Sequence, residues 1–83
     1  MEKVIKELTL LLIYLTSWQE EEFSIKINRS WKGYPFEILN ELQEEGYISG
    51  SKRAKSVFLT EEGVAKAKEF MRKYVKEKLN LDI

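Results

Sequence analysis

Between Val4 and Leu15 the chain is apolar at every position except Lys6, Glu7 and Thr9. Val4, Leu8, Leu11, Leu12 and Leu15 recur at three- and four-residue spacing, which places them on one face of a helix over residues 2–16. Ile5, Leu10, Ile13 and Tyr14 fill much of the remaining circumference. A helix that is apolar nearly all round is covered on both sides. In a chain of 83 residues one side can face the core. The other then needs the C-terminal helix or a second subunit, and Leu79–Ile83 add further apolar surface, so a homodimer is expected. The run Leu8–Leu15 is too short to cross a bilayer. Glu2 and Glu7 neutralise Lys3 and Lys6, and Thr16-Ser17-Trp18 offers no small-residue cleavage site. The run is therefore not read as a signal peptide, and a cytoplasmic protein is expected.

A single domain spanning 1–83 is all that this length allows, and its core is thin for its surface. Domains of this size commonly lean on a disulfide, a metal or a partner subunit. Cysteine and histidine are both absent, which removes disulfides and the usual zinc and haem ligands. Asp82 is the one aspartate, so there is no Asp-rich calcium loop. Acid–base chemistry would rest on Glu, Lys or Tyr, and no pair of carboxylates is set in an apolar cleft. A non-enzymatic binding domain without metal or cofactor is expected. Residues 1–50 hold five Lys and Arg against nine Glu, whereas residues 51–83 hold nine Lys and Arg against five acids. A net charge of zero therefore hides a basic second half that an anionic partner would have to meet.

Residues 17–34 fit two periods. Phe23, Ile27 and Trp31 suit a helical face, and Phe23, Ile25 and Ile27 suit strand alternation. Ser17 and Glu20 have capping-box spacing. We expect a strand or turn near 22–25 and a short helix near 25–31, ended by a positive-φ Gly33. Pro35 then opens a helix over 35–46 with Glu37 in its first turn, Phe36, Leu39 and Leu42 as its buried stripe, and Gly46 as its stop. Tyr47–Ser49 and Ser56–Leu59 read as a hairpin whose tip is Ser51–Lys55. Thr60 caps a last helix, with Glu61 and Glu62 in its first turn and Val64, Ala67, Met71, Val75 and Leu79 on its apolar face. Glu62–Lys66 and Glu69–Lys73 are expected as i,i+4 ion pairs, and Lys68, Arg72 and Lys76 as a solvated basic stripe.

The order of elements, with Leu39-x-x-Leu42-x-x-x-Gly46-Tyr47-Ile48 leading through Lys52-Arg53-Ala54-Lys55 into Leu59-Thr60-Glu61-Glu62-Gly63, resembles a winged helix-turn-helix domain. It looks most like the small prokaryotic regulators of the MarR and PadR type. Trp31-Lys32-Gly33-Tyr34 together with Ser51–Ser56 is also similar to an uncharacterised family of short prokaryotic domains. The first resemblance implies a mainly α fold, a three-helix core plus a wing hairpin and a C-terminal helix. It also implies dimeric binding to double-stranded DNA, with the helix before the hairpin in the major groove and the wing on backbone or minor groove.

Two functional readings follow. As a DNA-binding transcriptional regulator, the protein would hold phosphates with Lys52, Arg53 and Lys55 at the wing and with Arg29 and Lys32 at the turn, while Asn40 could read an adenine. The outward positions of the same helix, however, are otherwise Glu37, Glu41, Glu44 and Glu45, and carboxylates oppose DNA. The second reading is a protein–protein interaction module that docks a basic partner on those four glutamates. Trp18, Trp31, Tyr34 and Phe36 concentrate large aromatics in the middle segment and are expected to be core.

Overall fold

A computed structural model describes residues 1–22, 25–51 and 53–75. Lys52, Phe23, Lys76, Leu79 and the Leu79–Ile83 segment lie outside the described residues. Three helices and four strands follow in the order α1 (Glu2–Leu15), β1 (Trp18–Glu22), β2 (Ile25–Trp31), α2 (Phe36–Glu44), β3 (Ile48–Ser49), β4 (Ser56–Leu59) and α3 (Glu61–Tyr74). The strands form one antiparallel sheet in the order β1-β2-β4-β3. The architecture is α+β, with more sheet than the single hairpin expected.

The helix expected near 25–31 is strand β2. Its periodicity was ambiguous, and a long-range pairing decides it. β3 covers only the last two residues of β4, Phe58 and Leu59. The opposite edge of β4 would carry a row of unpaired backbone groups. β2 takes that edge in the register Asn28↔Leu59 to Trp31↔Ser56, and the Lys32 N–H continues it onto the Lys55 carbonyl at 3.1 Å. β1 then pairs back along β2, so Ser17 and Glu20 start no helix; the Ser17 hydroxyl donates to the Tyr14 carbonyl at 2.6 Å. Gly33 follows a strand, and it is not among the glycines with positive φ.

Pairing sets which face each strand residue takes, because side chains alternate. Ser30, Val57, Leu59 and Ile48 lie on the inner face and are buried. With Leu10, Leu11 and Ile13 of α1, Leu39 and Leu42 of α2, and Ala67 and Phe70 of α3 they make the core. All three helices therefore supply side chains to one side of the sheet.

The residues that carried the resemblance form one structural junction. Gly46, at φ 83°, ends α2: its N–H donates to the Gln43 carbonyl and that of Tyr47 to the Leu42 carbonyl, each at 3.0 Å. This is the paired closure in which a left-handed residue satisfies the last helical carbonyls. Thr60 then joins the two helix ends. Its hydroxyl donates to the Gly46 carbonyl at 2.6 Å and accepts from the Gly63 N–H at 3.0 Å, capping α3. Gly63 lies so close that a Cβ there would fall on the Tyr47 carbonyl.

Two expected ion pairs are replaced. Lys66 pairs with Glu69 at 3.0 Å, and Lys73 reaches across to Glu7 on α1 at 3.0 Å. A local i,i+4 contact gains only a few tenths of a kcal/mol, so a nearly buried carboxylate on a packed neighbour outcompetes it.

Candidate nucleic-acid interface

Five of the six residues proposed to touch DNA are described, and they divide into three environments. Lys32, Arg53 and Lys55 meet at one end of the sheet. The backbone bond from Lys32 to Lys55 fixes the β2 end beside the hairpin tip. Ser51 organises that tip: its carbonyl accepts from the Lys32 ammonium at 2.8 Å and the Ala54 N–H at 3.1 Å, and its hydroxyl accepts from the Arg53 N–H at 3.2 Å. The side chains of Arg53 and Lys55 are exposed.

Arg29 is drawn away from that cluster. On β2 its side chain lies on the outer sheet face, where Nε donates to Glu20 Oε1 at 2.9 Å and Nη1 to the Ser56 hydroxyl at 3.3 Å. Its guanidinium also sits 5.8 Å from the centre of the Phe58 ring. The Trp18 indole N–H donates to the other oxygen of Glu20 at 3.1 Å. That bond first, and then Arg29, hold the Glu20 carboxyl below the usual carboxylate range. Arg29 thus serves the sheet face and is not presented to a phosphate.

Asn40 is exposed on α2, surrounded on the same surface by exposed Glu37, Glu41, Glu44 and Glu45. Glu45 is engaged by Lys6 of α1 at 2.9 Å, and that hydrogen bond raises the Lys6 ammonium above its ordinary value. A groove of about 500 Å³ opens beside this pair, between α1, α2 and α3, and is lined by charged side chains including Lys6, Glu7, Glu41 and Lys66. Among the described residues no group of three or more acidic side chains is gathered to hold a metal ion.

Of the four aromatic residues expected to form the core, Tyr34 packs against it and the other three are placed differently. Trp31 is 63% and Phe36 66% exposed, and Trp18 and Tyr34 are half-buried. Trp18 and Trp31 pack on each other with ring centres 5.0 Å apart. The outer face therefore carries Trp18, Ile27, Arg29, Trp31 and Phe58, a surface that a helix over 25–31 could not have formed. The alternation of Ile25, Ile27, Arg29 and Trp31 was the one signal for it, and only the strand period reads it.

Fold and surface together define a small α+β domain with three helices behind a four-stranded antiparallel sheet and a cationic hairpin end. Residues 1–77 match the family described as domain of unknown function (DUF6429), and the chain belongs to that family. No curated protein and no solved structure matches the chain. Among the described residues no helix is long and apolar enough to cross a membrane.

Proposed function

We propose that the protein is a non-enzymatic, winged-helix type regulator that binds double-stranded DNA through phosphate contacts at the β3–β4 hairpin. The observation that carries this reading is the convergence of Lys32, Arg53 and Lys55 on one end of the sheet, braced by Ser51. The order α2, β3, β4, α3, with β2 added to the edge of β4, supports the winged-helix assignment. The element before α2 is a strand, so the reading rests on the wing and not on a helix-turn-helix. α2 contributes Asn40 as its candidate base contact, and its three glutamates, with Glu45 just past its end, keep sequence selectivity and affinity low. Phosphates position such a protein on a duplex without reading its sequence.

Duplex binding measured by fluorescence anisotropy from about 50 to about 200 mM salt tests this. Arg53→Ala with Lys55→Ala should flatten the slope of log affinity against log salt by about 1.8 units per chain bound, at roughly 0.9 per contact. Sequence preference should stay as it is. A wild-type protein without duplex affinity at low salt removes the proposal.

The exposed carboxylates of α2 favour the second reading, a module that docks a basic protein. Glu41→Lys with Glu44→Lys would abolish capture of such a partner, whereas the same change would strengthen DNA binding by removing repulsion. The two readings thus give opposite results with one variant.

A further inference from the structure

Among the described residues, the tertiary fold covers one side of α1 and leaves the other exposed. Leu10 and Ile13 are fully buried, whereas Val4, Ile5, Leu8, Leu12 and Leu15 are between 37% and 52% exposed and Met1 more so. At about 100° per residue these six side chains fall within an arc of roughly 100° opposite Leu10, and the arc contains no polar side chain. The C-terminal half of α1, from Leu8 onward, carries no charge at all.

The spacing in this stripe is symmetric. Val4 lies four positions before Leu8 and Leu12 four after; Met1 lies seven before and Leu15 seven after. A helix that packs antiparallel on a copy of itself across a two-fold axis needs this property, because each residue must meet the same distance from the centre on its partner. The heptad interval of Met1, Leu8 and Leu15 matches that of a helix–helix seam.

We propose that α1 forms the seam of a two-fold symmetric homodimer, with Leu8 at the axis and Val4 packed against the partner's Leu12. The antiparallel arrangement sets the two helix dipoles in favourable opposition along the seam. A parallel pair would bring two positive helix ends together. A membrane surface is a poorer occupant, since interfacial helices flank their apolar face with Lys and Arg and this stripe has none beside its centre. The inference does not depend on DNA binding.

Sedimentation equilibrium across the micromolar range should show a concentration-dependent dimer. Leu8→Glu sets two carboxylates against each other at the axis and should weaken the dimer by about a hundredfold or more, with the helical circular-dichroism signal of the monomer retained. The chain has no cysteine, so single substitutions give a clean second measurement. Leu8→Cys should oxidise to a covalent dimer, because only the axial position meets its own copy within disulfide reach. Leu15→Cys alone should not. Cross-linking at both positions would mean a parallel pair and overturn the arrangement. A wild-type monomer throughout the range, or one that binds lipid vesicles instead, would overturn the dimer itself. If Leu8→Glu does not fold, the Leu8→Cys result decides.

Discussion

The Tyr74 hydroxyl donates to the Glu7 carboxylate at 2.6 Å, joining the last turn of α3 to the first half of α1. Lys73 donates to the same oxygen at 3.0 Å. Among the described residues Glu7 is the one buried charged side chain, and these two donors satisfy it. The Tyr74 bond first, and Lys73 second, hold the Glu7 carboxyl below the usual carboxylate range. In return Glu7 raises both Lys73 and Tyr74 above their ordinary values.

The sign of the pH dependence follows. As pH falls, the unfolded chain takes up a proton at Glu7 before the folded one does, so this contribution to stability is lost through and below the carboxylate range. As pH rises toward the titration of tyrosine and lysine, the unfolded chain releases protons first, and stability falls again. Thermal melts should therefore give a plateau between these limits. Glu7→Gln should lower the plateau and flatten both shoulders. A variant with the same two shoulders as the wild type would show that Glu7 does not set them.

Gly63→Ala should destabilise the domain although alanine is the better helix former by about 1 kcal/mol. The new methyl would meet the Tyr47 backbone carbonyl, which is itself held by the Thr60 N–H at 3.0 Å and has little room to move. A net loss of about 1–3 kcal/mol in urea unfolding is expected. A stabilised variant would mean that the junction yields.

Thr60→Ala removes the cap of α3 and strands the Gly46 carbonyl in one change. The expected loss is about 1–2 kcal/mol, at the upper end for caps. Thr60→Ser keeps both bonds and should recover most of it.

Leu10→Ala and Trp31→Ala separate the core from the outer face. Leu10 is fully buried, and its truncation should cost about 2–5 kcal/mol. Trp31 is largely exposed and gives up mainly its packing on Trp18, about 1 kcal/mol. Equilibrium unfolding of both variants at one dilute concentration makes the comparison. A loss at Trp31 as large as that at Leu10 would mean that the outer face is covered.

Local rules were sufficient for α1, α2, the β3–β4 hairpin and α3. Their starts and stops are written in single residues: Pro35 ahead of α2, Gly46 behind it, Thr60 at the cap of α3. The stripe of α1 that is exposed among the described residues was also legible as excess apolar surface. The partners of charged groups were not, because Arg29 chooses Glu20 and Lys73 chooses Glu7 only once the sheet and the helix pair bring them within reach.

What the sequence alone determined is thus each element whose hydrophobic period and end signals agree, and the sign of charge along the chain. Only tertiary structure decided residues 17–34. Phe23, Ile27 and Trp31 fit a helical face and Phe23, Ile25 and Ile27 fit strand alternation, and the open edge of β4, far along the chain, supplied the backbone partners that made Ile25–Trp31 strand β2. That pairing put Trp18 and Trp31 on the outer face, committed Arg29 to the sheet, and brought Lys32 to the β3–β4 hairpin. A strand borrows its hydrogen bonds from another segment, whereas a helix makes its own, so strand formation here could be settled only by what lay beside it in the fold.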